Sequence, residues 1–494
     1  MKKTFLLILQ LSIVQAQLFS QSGFLDSSFG DKGKVLLTNK ECYAVAIQDD
    51  NKIIGVGVST NGYLIVRHNP DGSLDEGFAK NGILEIPQSG VANGNLSGVC
   101  IDKSGKIIVT GNNLMQKIFL ARIKPGGTLD SSFGINGSIY VENIDDTLQY
   151  PSDIILQNDG KIIVAGKAVY DISQNLSSAL VARFMPDGSY DETFGNKGRT
   201  IILQGETIAA NSVALQQDGK IVIGGYADIG NNKFLTARLN TDGSLDDSFG
   251  NNGEVITPIN NNKDYVYSVV VQNDGKIISG GSALYSTNLQ SLNMNIVRYL
   301  PNGDIDKSFA NNGISEIHFG KTPSYLYSLL LQNNGKIIAV GATRTSLNST
   351  NLNFALARLN KNGVIDSSFG TDGLQSSNFT KSQEALTSAF QKNGDIILAG
   401  YYFDGSVTGY ALSRYLGDPT HPVASRIKRW IKNHILNFTD QNPNTAYYAI
   451  EQQTAGGSYK QIATIDASKK EKVESENEYS FALPAETLIQ NSNL

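Results

Sequence analysis

Hydrophobic residues in this chain come in short runs separated by tight polar breaks, and no stretch between residues 24 and 416 keeps a 3.6-residue rhythm. Residues 212–259 show one cycle of the pattern. "SVALQQ" reads as a nearly all-apolar strand, Asp218–Gly219 as a turn, "KIVIGGY" as the returning strand and "FLTARLN" as a third. A second break, "TDG", and the phrase "LDDSFGNNG" then lead into a fourth strand, "EVITPI". Asp-Gly between apolar runs predicts a hairpin whose two central residues both take positive φ. Strands that are short and apolar on both faces belong to sheets packed between two other sheets.

The cycle recurs. "LDxSFGxxG" and its variants place a phenylalanine at Phe29, Phe78, Phe133, Phe194, Phe249, Phe309 and Phe369. Between these stand seven versions of "QNDGKIIVAG", and each cycle carries one arginine on its third strand: Arg67, Arg122, Arg183, Arg238, Arg298, Arg358 and Arg414. Seven four-stranded antiparallel units without helices predict an all-β fold, a seven-bladed β-propeller over residues 24–416. The phenylalanine is expected between blades, and the glycine four places on, Gly33 to Gly373, at positive φ.

An aspartate follows six of the arginines at a spacing of eight: Arg67/Asp75, Arg122/Asp130, Arg183/Asp191, Arg238/Asp246, Arg298/Asp306 and Arg358/Asp366. The spacing predicts bidentate ion pairs. Sevenfold recurrence marks them as architecture, since a chemical site needs one copy. Eight residues after Arg414 stands Pro422, while Asp26 has no arginine before it. These two are expected to pair, so "LDSSFGDKG" (25–33) belongs to the last blade, and "KVLL" (34–37) should pair with "GYALSRY" (409–415) and close the ring.

Composition narrows the function. A net charge of −5 argues against nucleic-acid or anionic-membrane partners. Lys2 and Lys3 precede the apolar stretch 5–14, with Val14 and Ala16 at −3 and −1 of a cleavage point before Gln17. Residues 1–16 therefore read as a signal peptide, and no other segment is apolar for long enough to cross a membrane. Cys42 and Cys100 occupy non-equivalent strand positions and read as small buried hydrophobes.

The combination "LDxSFG…QxDGKIIVAG…ARxxPDGSLD" resembles the delta-60 repeat of bacterial proteins, regarded as a β-propeller of undefined function. Copies two and six depart with Ala79 and Ala310 after the phenylalanine, and copy seven has Asp395 in place of lysine. After a linker at 417–425, residues 426–484 resemble the small fibronectin-like β-sandwich that precedes the sorting domain of proteins exported by the type IX system of Gram-negative bacteria. Asn437–Phe438, Tyr448, Ile450, Glu451, Tyr459 and Ile462 carry that likeness, and "RIKRWIKNH" (426–434) would supply a first strand with solvated basic residues. The resemblance implies secretion or display on the outer cell surface. In that family a sorting domain follows, so past the tail at 485–494 the gene is expected to continue, or the domain to have been lost.

Chemistry is sparse. His68, His318, His421 and His434 form no metal-ligand spacing, and no phosphate loop, nucleophile elbow or calcium loop is present. No metal, cofactor or catalytic residue is expected. One cluster is not repeated. Just before the first strand of each blade stand Glu41 and Tyr43, Asp264 with Tyr265 and Tyr267, Tyr325 with Tyr327, and Glu384. They are expected at one mouth of the central channel, as a rim that binds a sugar or peptide. The expected function is a monomeric binding scaffold for a protein or carbohydrate. The alternative is a propeller enzyme of lactonase or lyase type. That alternative needs converging carboxylates, and the position taken to face the channel (Ala44, Gly98, Asp153, Ser212, Ser268, Ser328 and Thr387) supplies one acid.

Overall fold

The computed structural model describes residues 22–418, apart from loop segments 88–93, 114–116, 142–147, 203–206, 261–262 and 285–291 and residues 175 and 231, together with the backbone of five strands between 436 and 481. Residues 1–16, read above as a signal peptide, the stretch beyond 418 read as a linker, and "RIKRWIKNH" lie outside the described residues. Gly23–Tyr415 forms one compact unit. Its described residues make twenty-eight strands, in seven antiparallel groups of four. The first group is Lys40–Ile47, Ile53–Ser59, Gly62–His68 and Ile83–Ile86, in that order across the sheet. The third and fourth groups also touch through a single parallel pairing, Ser177 with Thr207.

The first strand of each group lies against the first strands of the two neighbouring groups, and Ser382–Phe390 of the seventh lies against Lys40–Ile47 of the first. The first strands are thus innermost. The last group borrows its fourth strand: Lys34–Thr38 pairs antiparallel with Thr408–Tyr415, Lys34 opposite Ser413 and Thr38 opposite Gly409.

Sheets pack face to face through side chains buried from both sides. Ile163 and Val181 of one group share a cluster with Ile221 and Leu235 of the next. Phe29, Val66, Ile397 and Leu412 do the same across the closing seam. All seven repeated phenylalanines are fully buried, each contributing about 2–3 kcal/mol of apolar burial. Gly72 shows why the "PDG" turn needs glycine there: a Cβ would stand 2.9 Å from the Phe29 ring across the seam.

The first hairpin of each group differs from the expectation. In the fourth, Gly219 has φ +84° but Asp218 is not at positive φ. Gln216 N–H donates to Lys220 O and Gly219 N–H to Gln216 O. This is a type I turn closed by a glycine bulge, a three-residue loop rather than the two-residue mirror turn. The extra residue explains why only the glycine carries the left-handed conformation.

The second unit's strands form two small sheets. Leu436–Thr439 pairs with Glu478–Phe481, which pairs with Glu471–Lys472, and Tyr447–Gln453 pairs with Tyr459–Asp466.

Candidate functional site

Two sets of polar residues compete for the role of a site, and their geometries differ. The repeated set is a staple. Each arginine Nε lies 2.6–2.9 Å from an aspartate Oδ2, from Arg67–Asp75 through Arg358–Asp366. Arg414 Nε lies 2.9 Å from Asp26 Oδ2, across 388 residues of chain. The pairs are not bidentate as expected. The other carboxylate oxygen is already taken: Asp246 Oδ1 accepts from the Ser248 hydroxyl and backbone N–H, and Asp26 Oδ1 from those of Ser28.

Each guanidinium also lies 4.4–5.0 Å from the centre of the repeated phenylalanine ring, Arg414 over Phe29 included. Its Nη1 reaches the next group: Arg238 donates to Pro301 O, Arg298 to Lys361 O and Arg414 to Pro70 O, at 2.6–2.7 Å. The turn lysine completes the arrangement, as Lys220 Nζ does 2.7 Å from Asp246. Burial alone would raise the Asp246 carboxyl, but Lys220, Ser248 and Arg238 outweigh it and hold the group below the ordinary carboxylate range. In the last blade Gln391 Oε1 accepts from Arg414 Nη1 at 3.3 Å, and Asp395, in the lysine's place, stands 3.9 Å from Nε.

The unrepeated set lies at the opposite, inner edge. Each first strand carries a β-bulge at the same place, and the bulged residues are Tyr43, Ser97, Ser152, Asn211, Tyr267, Tyr327 and Leu386. A bulge re-aims the inserted side chain. Where it is small and polar it closes onto the next blade: Ser97 Oγ donates to Pro151 O, and Asn211 Nδ2 to Val266 O. Where it is tyrosine, rings meet across blades. Tyr226 meets Tyr265 at 5.0 Å edge-on, Tyr267 meets Tyr327 at 5.2 Å edge-on, and Tyr325 lies parallel to Tyr327 at 6.2 Å. Glu384 accepts hydrogen bonds from Tyr401 and Tyr327, and Tyr43 donates to Glu41. The cluster spans blades four to seven and the first.

Burial sets the electrostatics of this mouth. It pushes the Glu384 carboxyl up, against the two phenols that pull it down. Burial and the surrounding phenols push the Tyr267 hydroxyl up to about 12, and burial and Glu384 push that of Tyr327 higher still.

The expected rim residues are brought together with one exception. Asp264 is fully buried and turned away, its Oδ2 accepting from the backbone of Ile259 and Asn260. It ties down the loop that enters the strand. The position taken to face the channel instead faces the neighbouring blade: Asp153 Oδ2 accepts from Val213 N–H, and Ser212 and Ser268 Oγ from Val269 and Leu329 N–H. The bulge shifts the register by one, so the lumen-facing acids are Glu41 and Glu384. Sequence reasoning missed Tyr226, Tyr401, Tyr150 and Lys167. They lie on the rim because Tyr226 pairs with Ala209, Tyr401 with Glu384, and Lys167 with Tyr150. Counting back from each turn with one bulged residue would have found them. Cys42 is buried and both cysteines are free. Among the described residues, no group of three or more His, Cys, Asp or Glu side chains could hold a metal ion, and no helix is long and apolar enough to cross a membrane.

A family model described as a β-propeller domain of unknown function matches six times, at residues 48–78, 103–133, 157–194, 216–249, 272–309 and 332–369. No curated protein matches. Among solved structures, Drosophila Semaphorin 2a is similar over 94% of this chain and 95% of its own, at 8% identity and a TM-score of 0.46. The polysaccharide lyase Uly1 covers 81% of this chain and 98% of its own, at 9% identity and 0.45. A gluconolactonase from Xanthomonas campestris covers 64% and 89%, at 12% and 0.33. At these values the structures carry no argument about activity.

Proposed function

Because the chain is a β-propeller repeat protein, we propose that it is a secreted or cell-surface binding scaffold whose seven blades present a ligand seat at the mouth of the ring. The observation that carries the reading is the contrast between the sevenfold staple and the aromatic mouth. Tyr226, Tyr265, Tyr267, Tyr327 and Tyr401 with Glu384 occur on only some blades, and nothing in the architecture calls for half-buried tyrosines there. Preorganised rings with a few polar groups suit a sugar face or a peptide side chain. Secretion rests on the leader, and the fibronectin-like reading of the second unit on the residues that resemble that domain.

The test is a screen of the full secreted chain on glycan and peptide arrays, beside a variant with Tyr265, Tyr267, Tyr325 and Tyr327 replaced by Ala. The expected result is a ligand held by the wild type and lost in the variant, with little change in melting temperature. Retention by the variant places binding elsewhere. N-terminal sequencing of the secreted chain should begin near Gln17; material that starts at Met1 would contradict export.

A further inference from the structure

Three observations about the mouth converge on one kind of partner. The first is charge. Glu384 and Glu41 are half-buried among phenols, and among the described residues no basic side chain pairs with either. The staple aspartates, in contrast, each have an arginine partner. Lys167, a cation on the second strand of the third group, lies 4.9 Å over the Tyr150 ring. Uncompensated carboxylates beside the negative faces of aromatic rings form a local field that favours a cation.

The second is the surrounding face. First strands begin at the mouth, so second strands end there, and the hairpins to the third strands rise around it. Of the nine large hydrophobics exposed among the described residues, five sit at these hairpins: Tyr170, Ile172, Ile229, Leu347 and Phe403, exposed by 38–72%. Apolar tips around a cluster of aromatic and acidic side chains mark a macromolecular docking face. The third is the set of rings itself. They are already packed edge-on and parallel, with hydroxyls of Tyr327 and Tyr401 committed to Glu384. That leaves ring faces and a carboxylate to offer, rather than an array of free hydrogen-bonding hydroxyls.

We propose that this face docks a protein partner that inserts a lysine or arginine side chain into the mouth, over the rings of Tyr267 and Tyr327 and against Glu384, while apolar residues beside it rest on Ile172, Ile229 and Phe403. The inference rests on the reading of the mouth as the ligand seat and names what the seat takes. An anionic polysaccharide is disfavoured by the same two glutamates. A neutral oligosaccharide leaves both the countercharge and the apolar tips unused.

The probe is a library of acetylated, amidated octapeptides presented to the full chain, with neutral oligosaccharides on the same array. The best binders should carry Lys or Arg beside apolar residues. Replacing that Lys by norleucine should weaken binding at least about tenfold, the loss of one desolvated charge contact. Glu384→Gln should do the same, and an Ile172→Ser/Ile229→Ser variant should weaken it several-fold. Best binders without a basic residue, norleucine peptides that bind equally well, or no octapeptide held at about 1 mM would each overturn the proposal. Capture of neutral oligosaccharides alone, lost in the tyrosine variant, overturns it while leaving the ligand seat in place. Lysine-peptide binding that ignores the tyrosine variant removes the seat itself.

Discussion

The two ends of a blade obey different rules. At its outer end the staple is the same in all seven blades: Arg on Asp, Arg on Phe and, in most, Arg Nη1 on a carbonyl of the next blade. At its inner end the bulged residue is Tyr, Ser, Ser, Asn, Tyr, Tyr and Leu from blade one to blade seven. The difference separates two demands. Closing a ring of like parts asks every blade for the same bond, so its residues recur. Recognising an asymmetric ligand asks each blade for something different, so its residues do not. A buried polar residue that repeats is therefore evidence of architecture, and the site is sought where the repeat breaks.

The harshest way to break the comparison is to remove the shared part. Deleting residues 24–38 strips the last blade of its fourth strand, of Phe29 and of Asp26. Calorimetry should show no cooperative transition, because two sheet faces are then exposed. Removal of everything after residue 425 should leave the main transition in place. Next in size are single staples. Asp26→Asn and Asp246→Asn each strand a buried arginine and should each cost about 3–5 kcal/mol in chemical denaturation. Equal costs support equivalence of the seven staples; a much smaller cost for Asp26→Asn would show that the closing one is looser.

Much of the outer end was legible in the sequence. The Arg–Asp spacing and the one orphan at each end point directly at each other, because an eight-residue spacing across a tight turn leaves little freedom. What spacing cannot show is which atoms are free. The residue two places after each aspartate, a serine in five copies and Gly77 or Thr193 in the other two, claims one carboxylate oxygen through its backbone N–H, so fork-to-fork pairing gave way to contact through the other oxygen plus a ring face. The inner end was legible only in part. Tyr265, Tyr267, Tyr325 and Tyr327 stand out by type, but one bulged residue reverses which faces point inward. That reversal hid Tyr226 and Tyr401, promoted the blade-facing Asp153 and Ser212, and left the inward Glu41 and Glu384 out of the count of channel acids. Asp264 shares its neighbours' stretch of chain but not their face.

The seam between blades one and seven allows a subtler test. His68 is fully buried there, its ring nitrogens 3.1 Å from Gly72 O and 3.2 Å from the Tyr410 hydroxyl. Burial holds its pKa down at about 4, against an ordinary 6.5. In that window the unfolded chain binds the extra proton, so stability is full above pH 6.5 and falls as pH drops towards 4, by about 3 kcal/mol. Asp153 and Asp264, both pushed up to about 6 by burial, act in the opposite sense over nearly the same range. The informative quantity is therefore the difference from His68→Leu, which shares those two groups and has the residue found at the equivalent Leu239 and Leu359. The wild type should lose stability relative to the variant between pH 6.5 and 4; parallel curves would mean that His68 titrates normally. The staple aspartates, with lowered pKa values, keep their contribution until the pH falls below about 3.8. The smallest effect belongs to the mouth. Tyr267→Ala should cost about 1 kcal/mol, the loss of an edge-on ring contact at a half-buried rim. A loss as large as a staple's would give that ring a structural role.

The central claim is that seven staples are equivalent although one joins residues 388 positions apart. Native-state amide hydrogen exchange reads this directly. Asp26 N–H donates to Arg414 O at 2.8 Å, as Asp246 N–H donates to Arg238 O at 2.9 Å. Both amides should exchange only through global unfolding, with the same free energy and the same denaturant dependence. An Asp26 amide that exchanges through a local opening, orders of magnitude faster than that of Asp246, would contradict the closure.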